Sequence, residues 1–80
     1  MRVNKKKFIY LISPNKIKKS FYNDLVEILK LQKVGFFQLR LKKTSFKKKL
    51  FIGKKVKKIC NKYNTKFLVN DDVLLAKKLN

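Results

Sequence analysis

The stretch Gly35-Phe36-Phe37-Gln38-Leu39-Arg40-Leu41-Lys42 decides how this 80-residue chain is read. It opens as a buried strand does, with two phenylalanines after a glycine. From Gln38 onward polar and apolar residues alternate. Successive side chains of a strand point to opposite faces, so Gln38, Arg40 and Lys42 share one face while Phe37, Leu39 and Leu41 share the other. In a β/α barrel one strand face looks into the barrel and the other packs under helices. The leucines suit the helix side, and the amide and two cations suit the inside, climbing toward the C-terminal end of the strand.

The flanking segments supply the rest of such an architecture. Phe8-Ile9-Tyr10-Leu11-Ile12 is a continuous apolar run, as expected of a strand covered on both faces. Ser13-Pro14-Asn15 stops it with turn chemistry. Residues 20–33 read as a helix, with Phe21, Leu25, Ile28 and Leu29 in one apolar stripe. Ser20 is the expected N-cap. Asp24 and Glu27 lie near the positive end of the helix dipole, and Lys30 and Lys33 near its negative end.

The central strand is expected over residues 34–41. Thr44-Ser45 then opens a second helix that runs to about residue 63. On a helical wheel Phe46, Leu50, Ile52, Gly53, Val56, Ile59, Cys60 and Tyr63 share one face. Lys47, Lys48, Lys54, Lys55, Lys58 and Lys62 take most of the other, as a solvated face. Lys49 and Lys57 fall off this pattern and must snorkel. Gly53 is expected to permit close approach to a sheet, and Cys60 to be a small core residue. Thr65-Lys66-Phe67-Leu68-Val69 is a third strand. It ends in Asn70-Asp71-Asp72, and a last helix covers Val73 to Leu79.

The order is β-α-β-α-β-α. Strand starts near residues 8, 35 and 66 give spacings of about 27 and 31 residues, each one β/α unit of a (β/α)8 TIM barrel of roughly 250 residues. Crossover helices between buried strands imply a parallel sheet. Three parallel strands leave two edges and one sheet face bare. Residues 1–80 are therefore expected to be a partial barrel domain, the N-terminal portion of something about two to three times longer.

Charge and composition narrow the function. The net charge is +19, with 23 basic residues against four acids. A chain this basic attracts polyanions, and a small Lys-rich nucleic-acid-binding protein is one reading. Yet only Arg2 and Arg40 are arginines, whereas nucleic-acid readers favour the planar guanidinium fork. Lys, Asn, Ile and Phe are also what an AT-biased genome overproduces, so the charge reads first as compositional drift. Against that background an arginine at position 40 stands out. One cysteine and no histidine exclude a disulfide framework, a Cys/His zinc site and a Cys-His nucleophile within the chain. The apolar run after Lys5 to Lys7 is too short for a signal-peptide core or a membrane span, and a cytoplasmic location is expected.

Chemistry in parallel α/β folds sits at the C-terminal ends of the strands. There Arg40 offers a fork, Lys42 a point charge and Gln38 an orienting hydrogen bond, which together suit a polyphosphate. Asp71 and Asp72 follow the next strand beside Asn70. Mg2+ is commonly held by one or two carboxylates plus substrate phosphates. Asp71 is expected at such a metal and Asp72 at the cap of the last helix.

Tyr10-Leu11-Ile12-Ser13-Pro14, Gln38-Leu39-Arg40-Leu41-Lys42 and Val69-Asn70-Asp71 together resemble the N-terminal part of the thiamine-phosphate synthase family, whose fold is a (β/α)8 barrel. The resemblance covers nearly the whole chain and at most about 40% of a family member. It implies an enzyme that joins hydroxymethylpyrimidine pyrophosphate to a thiazole phosphate, releasing pyrophosphate and forming thiamine phosphate in thiamine biosynthesis. By resemblance Gln38, Leu39, Arg40, Leu41, Lys42 and Asn70 bind the pyrimidine pyrophosphate. Arg40 and Lys42 are then the catalytic cations, and Asp71 ligates Mg2+. The partners implied are these small molecules, with nucleic acid engaged only through non-specific charge. The thiazole tautomerase branch shares the barrel and is the near alternative, but its members tend to lose parts of the Gln-x-Arg-x-Lys and Asn-Asp pair. In the family a second metal aspartate, the thiazole-phosphate site and the glycine-rich phosphate loops all lie downstream, so residues 1–80 alone are expected to be inactive.

Overall fold

Apolar runs separated by amphipathic helices give parallel strands, and three are present in the computed structural model, which describes residues 2–5, 9–70 and 72–79. Phe8 and Asp71 lie outside the described residues. The elements are β1 (Arg2–Lys5), β2 (Ile9–Ile12), α1 (Phe21–Leu31), β3 (Val34–Leu39), α2 (Phe46–Lys62), β4 (Lys66–Val69) and α3 (Val73–Leu79). The sheet order is β1-β2-β3-β4. β2, β3 and β4 run parallel, with Leu11 opposite Phe37 and Phe37 opposite Phe67. Gly35 is the residue skipped where the β2–β3 register shifts between Ile9 and Tyr10, a bulge position that suits glycine. The three β/α units match the N-terminal portion of an incomplete (β/α)8 barrel.

All three helices cover one side of the sheet. The core there joins Leu11, Phe37 and Leu39 from the strands to Phe21, Leu25 and Leu29 of α1 and to Ile52, Val56 and Cys60 of α2. Burying a side chain such as Leu11 or Phe37 stabilises by about 1.5–3 kcal/mol. The opposite face carries Tyr10, Ile12, Phe36, Gln38 and Leu68, all half-buried. The Tyr10 and Phe36 rings lie 5.8 Å apart on it. This is the bare face that the strand pattern implies.

The lysine face of α2 is exposed as expected, at Lys47, Lys48, Lys54, Lys55, Lys58 and Lys62. Lys55 lies 5.1 Å from the Tyr22 ring and 4.6 Å from the Phe51 ring, which stitches α1 to α2 by cation–π attraction. The two off-pattern lysines reach α3 at its two ends. Lys49 Nζ pairs with Asp72 at 3.2 Å, and Lys57 Nζ donates to the Leu79 carbonyl at the negative end of α3.

Several expectations are corrected. An additional strand, β1, pairs antiparallel with β2, Arg2 opposite Ile12 and Lys5 opposite Ile9, so one of the two expected bare edges is covered. Its four residues include one apolar residue in the sequence, too few to make a period. Ser20 occupies the N-cap position of α1 but makes no side-chain cap bond, because its backbone is already helical, at φ −70° and ψ −15°. Ser45, with extended backbone, does cap α2 by accepting from the Lys48 amide at 3.2 Å. α1 stops at Leu31 and β3 at Leu39, short of residues 33 and 41. Phe46 is 42% exposed, since it lies at the solvent end of α2, ahead of the packed turns. Gly53 faces α3 and not the sheet: a Cβ there would stand 2.5 Å from Leu79 Cδ1.

Candidate active site

The ends of β2, β3 and β4 are tied together just beyond the regular ladder. Ser13, the first residue after β2, is 4% exposed. Its amide donates to the Gln38 carbonyl at 2.9 Å. Its Oγ accepts from the Arg40 amide at 2.8 Å and donates to the Arg40 carbonyl at 3.3 Å. From the other side the Asn70 amide donates to the Leu39 carbonyl at 3.0 Å. Residues 38–40 are therefore held from both neighbouring strands. Lys42 is held by its main chain, whose amide donates to the Asn15 carbonyl at 3.3 Å and whose carbonyl accepts from Thr44 Oγ1 at 2.9 Å. Lys43, at φ 50°, then turns the chain toward the Ser45 cap.

Side chains meet at the same place. Gln38 Nε2 donates to Asn70 Oδ1 at 3.1 Å. Both project from the face opposite the helices, as the alternation requires. Arg40 is half-buried immediately past β3, and Lys42 is exposed in the following turn. Leu39 is buried on the helix side, and Leu41 packs against that core. Their side chains lie with the core, and the Leu39 carbonyl accepts from the Asn70 amide.

The two acids after β4 divide as follows. Asp72 caps α3: its Oδ1 accepts from the Leu75 amide at 3.0 Å, while its Oδ2 receives Lys49 at 3.2 Å. The Leu75 bond, with Lys49 beside it, holds the Asp72 carboxyl below its ordinary value. Asp72 is thus engaged at both oxygens. Asp71, the expected metal ligand, lies outside the described residues. No cluster of three or more His, Cys, Asp or Glu side chains occurs among the described residues. The donor set fits a hard cation only in the mode where one carboxylate shares it with substrate phosphates.

Cys60 is buried, and burial pushes its thiol up to about 12. It is a core residue, as expected, and no nucleophile. A groove of about 660 Å³ follows the β4 flank beneath α3, lined mainly by Phe67, Val69, Val73, Ala76 and the stem of Lys57. It runs along the edge strand β4 on the helix side of the sheet and reaches Asp72 at the start of α3. Among the described residues no helix is long and apolar enough to cross a membrane.

Sequence reasoning brought Gln38 and Asn70 to one place and separated Asp72 as a cap. It missed Ser13, read there as turn chemistry. A hydroxyl directly after a buried parallel strand, at the end where ligands bind, is the signal that points to it.

Comparison with known proteins adds to this geometry. A family model described as thiamine monophosphate synthase matches residues 9–80. The thiamine-phosphate synthase of Pelagibacter ubique (strain HTCC1062) is 64% identical over 83 aligned positions, covering 100% of this chain and 40% of that protein. The thiamine-phosphate synthase of Thermoplasma acidophilum is 36% identical over 70 positions, covering 88% of this chain and 32% of that protein. The chain thus spans less than half the length of these relatives. No solved structure matches.

Proposed function

The chain belongs to the thiamine monophosphate synthase family, and on that premise we propose that the tips of β3 and β4 hold the diphosphate of a hydroxymethylpyrimidine diphosphate in the synthesis of thiamine phosphate. The observation that carries this reading is the Gln38–Asn70 bond, 3.1 Å long, which joins two motifs far apart in sequence at one end of a parallel sheet. The family's synthase branch is supported over the tautomerase branch by relatives named as synthases and by the intact Gln38-x-Arg40-x-Lys42 and Asn70-Asp71 pair.

In the reaction the bond from the pyrimidine methylene carbon to the diphosphate oxygen breaks, and the electron pair leaves with the diphosphate. The lone pair of the thiazole nitrogen then forms the new C–N bond. Negative charge grows on the leaving group, so cations held in place before the bond breaks favour the transition state. Arg40 grips the diphosphate with its fork, and Lys42 adds a mobile charge from the adjacent turn. Gln38 and Asn70, locked to each other, orient the substrate's polar edge. Mg2+, when bound, neutralises diphosphate charge, with Asp71 as this chain's ligand to it.

The test is calorimetric titration of the chain with inorganic pyrophosphate and MgCl2 at fixed ionic strength. Arg40→Ala with Lys42→Ala is expected to raise Kd by at least about tenfold, the loss of two charge-assisted contacts. Lys54→Ala with Lys58→Ala, on the α2 face, is expected to change it less than about twofold. Equal losses from both pairs mark a diffuse polyanion surface and overturn the site.

A further inference from the structure

We propose that Ser13 is a positioning residue for the diphosphate site, acting through the main chain of Arg40. The inference rests on the reading of Gln38, Arg40, Lys42 and Asn70 given above.

β3 ends at Leu39, so Arg40 stands one residue beyond its strand, where the ladder no longer fixes it. A residue at a frayed strand end samples many backbone states, and its side chain points wherever the backbone sends it. Ser13 removes that freedom. One hydroxyl accepts from the Arg40 amide at 2.8 Å and donates to the Arg40 carbonyl at 3.3 Å. Both backbone groups of a single residue are thereby satisfied by one side chain 27 positions away. The Ser13 amide also anchors the Gln38 carbonyl at 2.9 Å. Gln38 and Arg40 are two of the residues on which the diphosphate reading rests.

The placement of the hydroxyl argues against an incidental contact. Ser13 is almost fully buried, and a buried hydroxyl is costly unless satisfied. Here it is satisfied twice by the same partner. Two residues on, the Asn15 carbonyl accepts from the Lys42 amide, and Pro14 between them restricts the backbone. The β2–α1 connection is therefore a template against which both cation-bearing residues are registered. An alanine at position 13 keeps the amide bond to Gln38 and deletes both bonds to Arg40, so the guanidinium loses its fixed origin while the sheet keeps its register.

A double-mutant cycle tests this. Kd for inorganic pyrophosphate with MgCl2 is measured by calorimetry for the wild-type chain, Ser13→Ala, Ser13→Thr, Arg40→Ala and Ser13→Ala/Arg40→Ala, with thermal melts alongside. Ser13→Ala is expected to raise Kd about fivefold, and Ser13→Thr, which keeps the hydroxyl, to stay within about twofold of wild type. In the Arg40→Ala background Ser13→Ala is expected to add less than about twofold, because its effect runs through Arg40. Should Ser13→Ala fail to fold, Ser13→Cys replaces it, with a somewhat larger group that hydrogen-bonds only weakly, and the same pattern is expected. If Arg40→Ala weakens binding while the Ser13 substitution does not, or weakens it equally with and without Arg40, this inference fails and the diphosphate site stands. If Arg40→Ala leaves the affinity unchanged, the diphosphate reading falls and takes the inference with it.

Discussion

Gln38 donates from Nε2 to Asn70 Oδ1 across 3.1 Å, although 32 positions separate them in the chain. The bond turns the Gln38 amide nitrogen toward Asn70. It joins side chains from adjacent parallel strands at the end where the loops begin, alongside the Asn70 amide bond to the Leu39 carbonyl. The result is a short, preorganised polar edge beside Arg40.

Preorganisation of this kind predicts non-additive mutants. Gln38→Ala and Asn70→Ala are each expected to raise Kd for magnesium pyrophosphate by about three- to tenfold. The double substitution is expected to cost less than the product of the two, since either one already breaks the shared bond. Calorimetry on the four proteins decides it. Fully multiplicative losses show that the two amides act independently.

The Asp72 cap predicts a particular acid dependence. Its carboxyl titrates below the ordinary value of 3.8 in the folded chain, because the Leu75 amide and Lys49 favour the charged form. The unfolded chain therefore takes up this proton first as pH falls. The cap's contribution is complete above the unfolded value and is lost as pH drops through the folded one. Urea midpoints measured from about pH 6 to pH 2 are expected to fall less steeply in Asp72→Asn than in wild type across that acid range. Parallel curves mean that the cap is not formed in solution.

Much of this architecture is legible in the sequence because its signals are local. The Phe21, Leu25 and Leu29 stripe is set by helical period and is buried as spaced. Ser45 caps α2 because its extended backbone brings its hydroxyl to the Lys48 amide. Ser20 fails in the same position because an upstream turn, with the Phe21 amide on the Lys18 carbonyl, already holds it in helical geometry. Gly53 announces a close approach, but its spacing says nothing about which element arrives, and it is α3. The strand-tip site divides likewise. Alternation puts Gln38 on the open face and the β/α order puts Asn70 beside it. Ser13 escapes because its partner is distant and its own residue type reads as a turn.

Cys60 offers a test of the α2–sheet packing. Burial raises its thiol from 9.0 to about 12, so at pH 8 its thiolate population falls by about a thousandfold, and the thiolate is the reactive form. An aromatic disulfide reagent is expected to label the native chain at least that much more slowly than the urea-unfolded chain. Labelling of the native chain at near-unfolded rates means that the α2 face seen here is open to solvent.

The α2–α3 contact gives the last prediction, and its sign depends on the background. Replacing a mid-helix glycine with alanine gains about 0.5–1 kcal/mol from reduced backbone freedom. At Gly53 that gain is opposed, since the new Cβ would meet Leu79 Cδ1 at 2.5 Å and Cδ2 at 3.2 Å. Leu79 is buried, and its Cγ also stands only 3.4 Å from that position, so turning Cδ1 alone does not clear the new Cβ. Gly53→Ala alone is therefore expected to leave the melting temperature unchanged or lower. In a Leu79→Ala background the obstacle is gone, and Gly53→Ala is expected to raise it by a few degrees, as about 0.5–1 kcal/mol does for a domain of this size. Equal shifts in the two backgrounds mean that α3 does not rest on Gly53, and that the close approach of these helices has another cause.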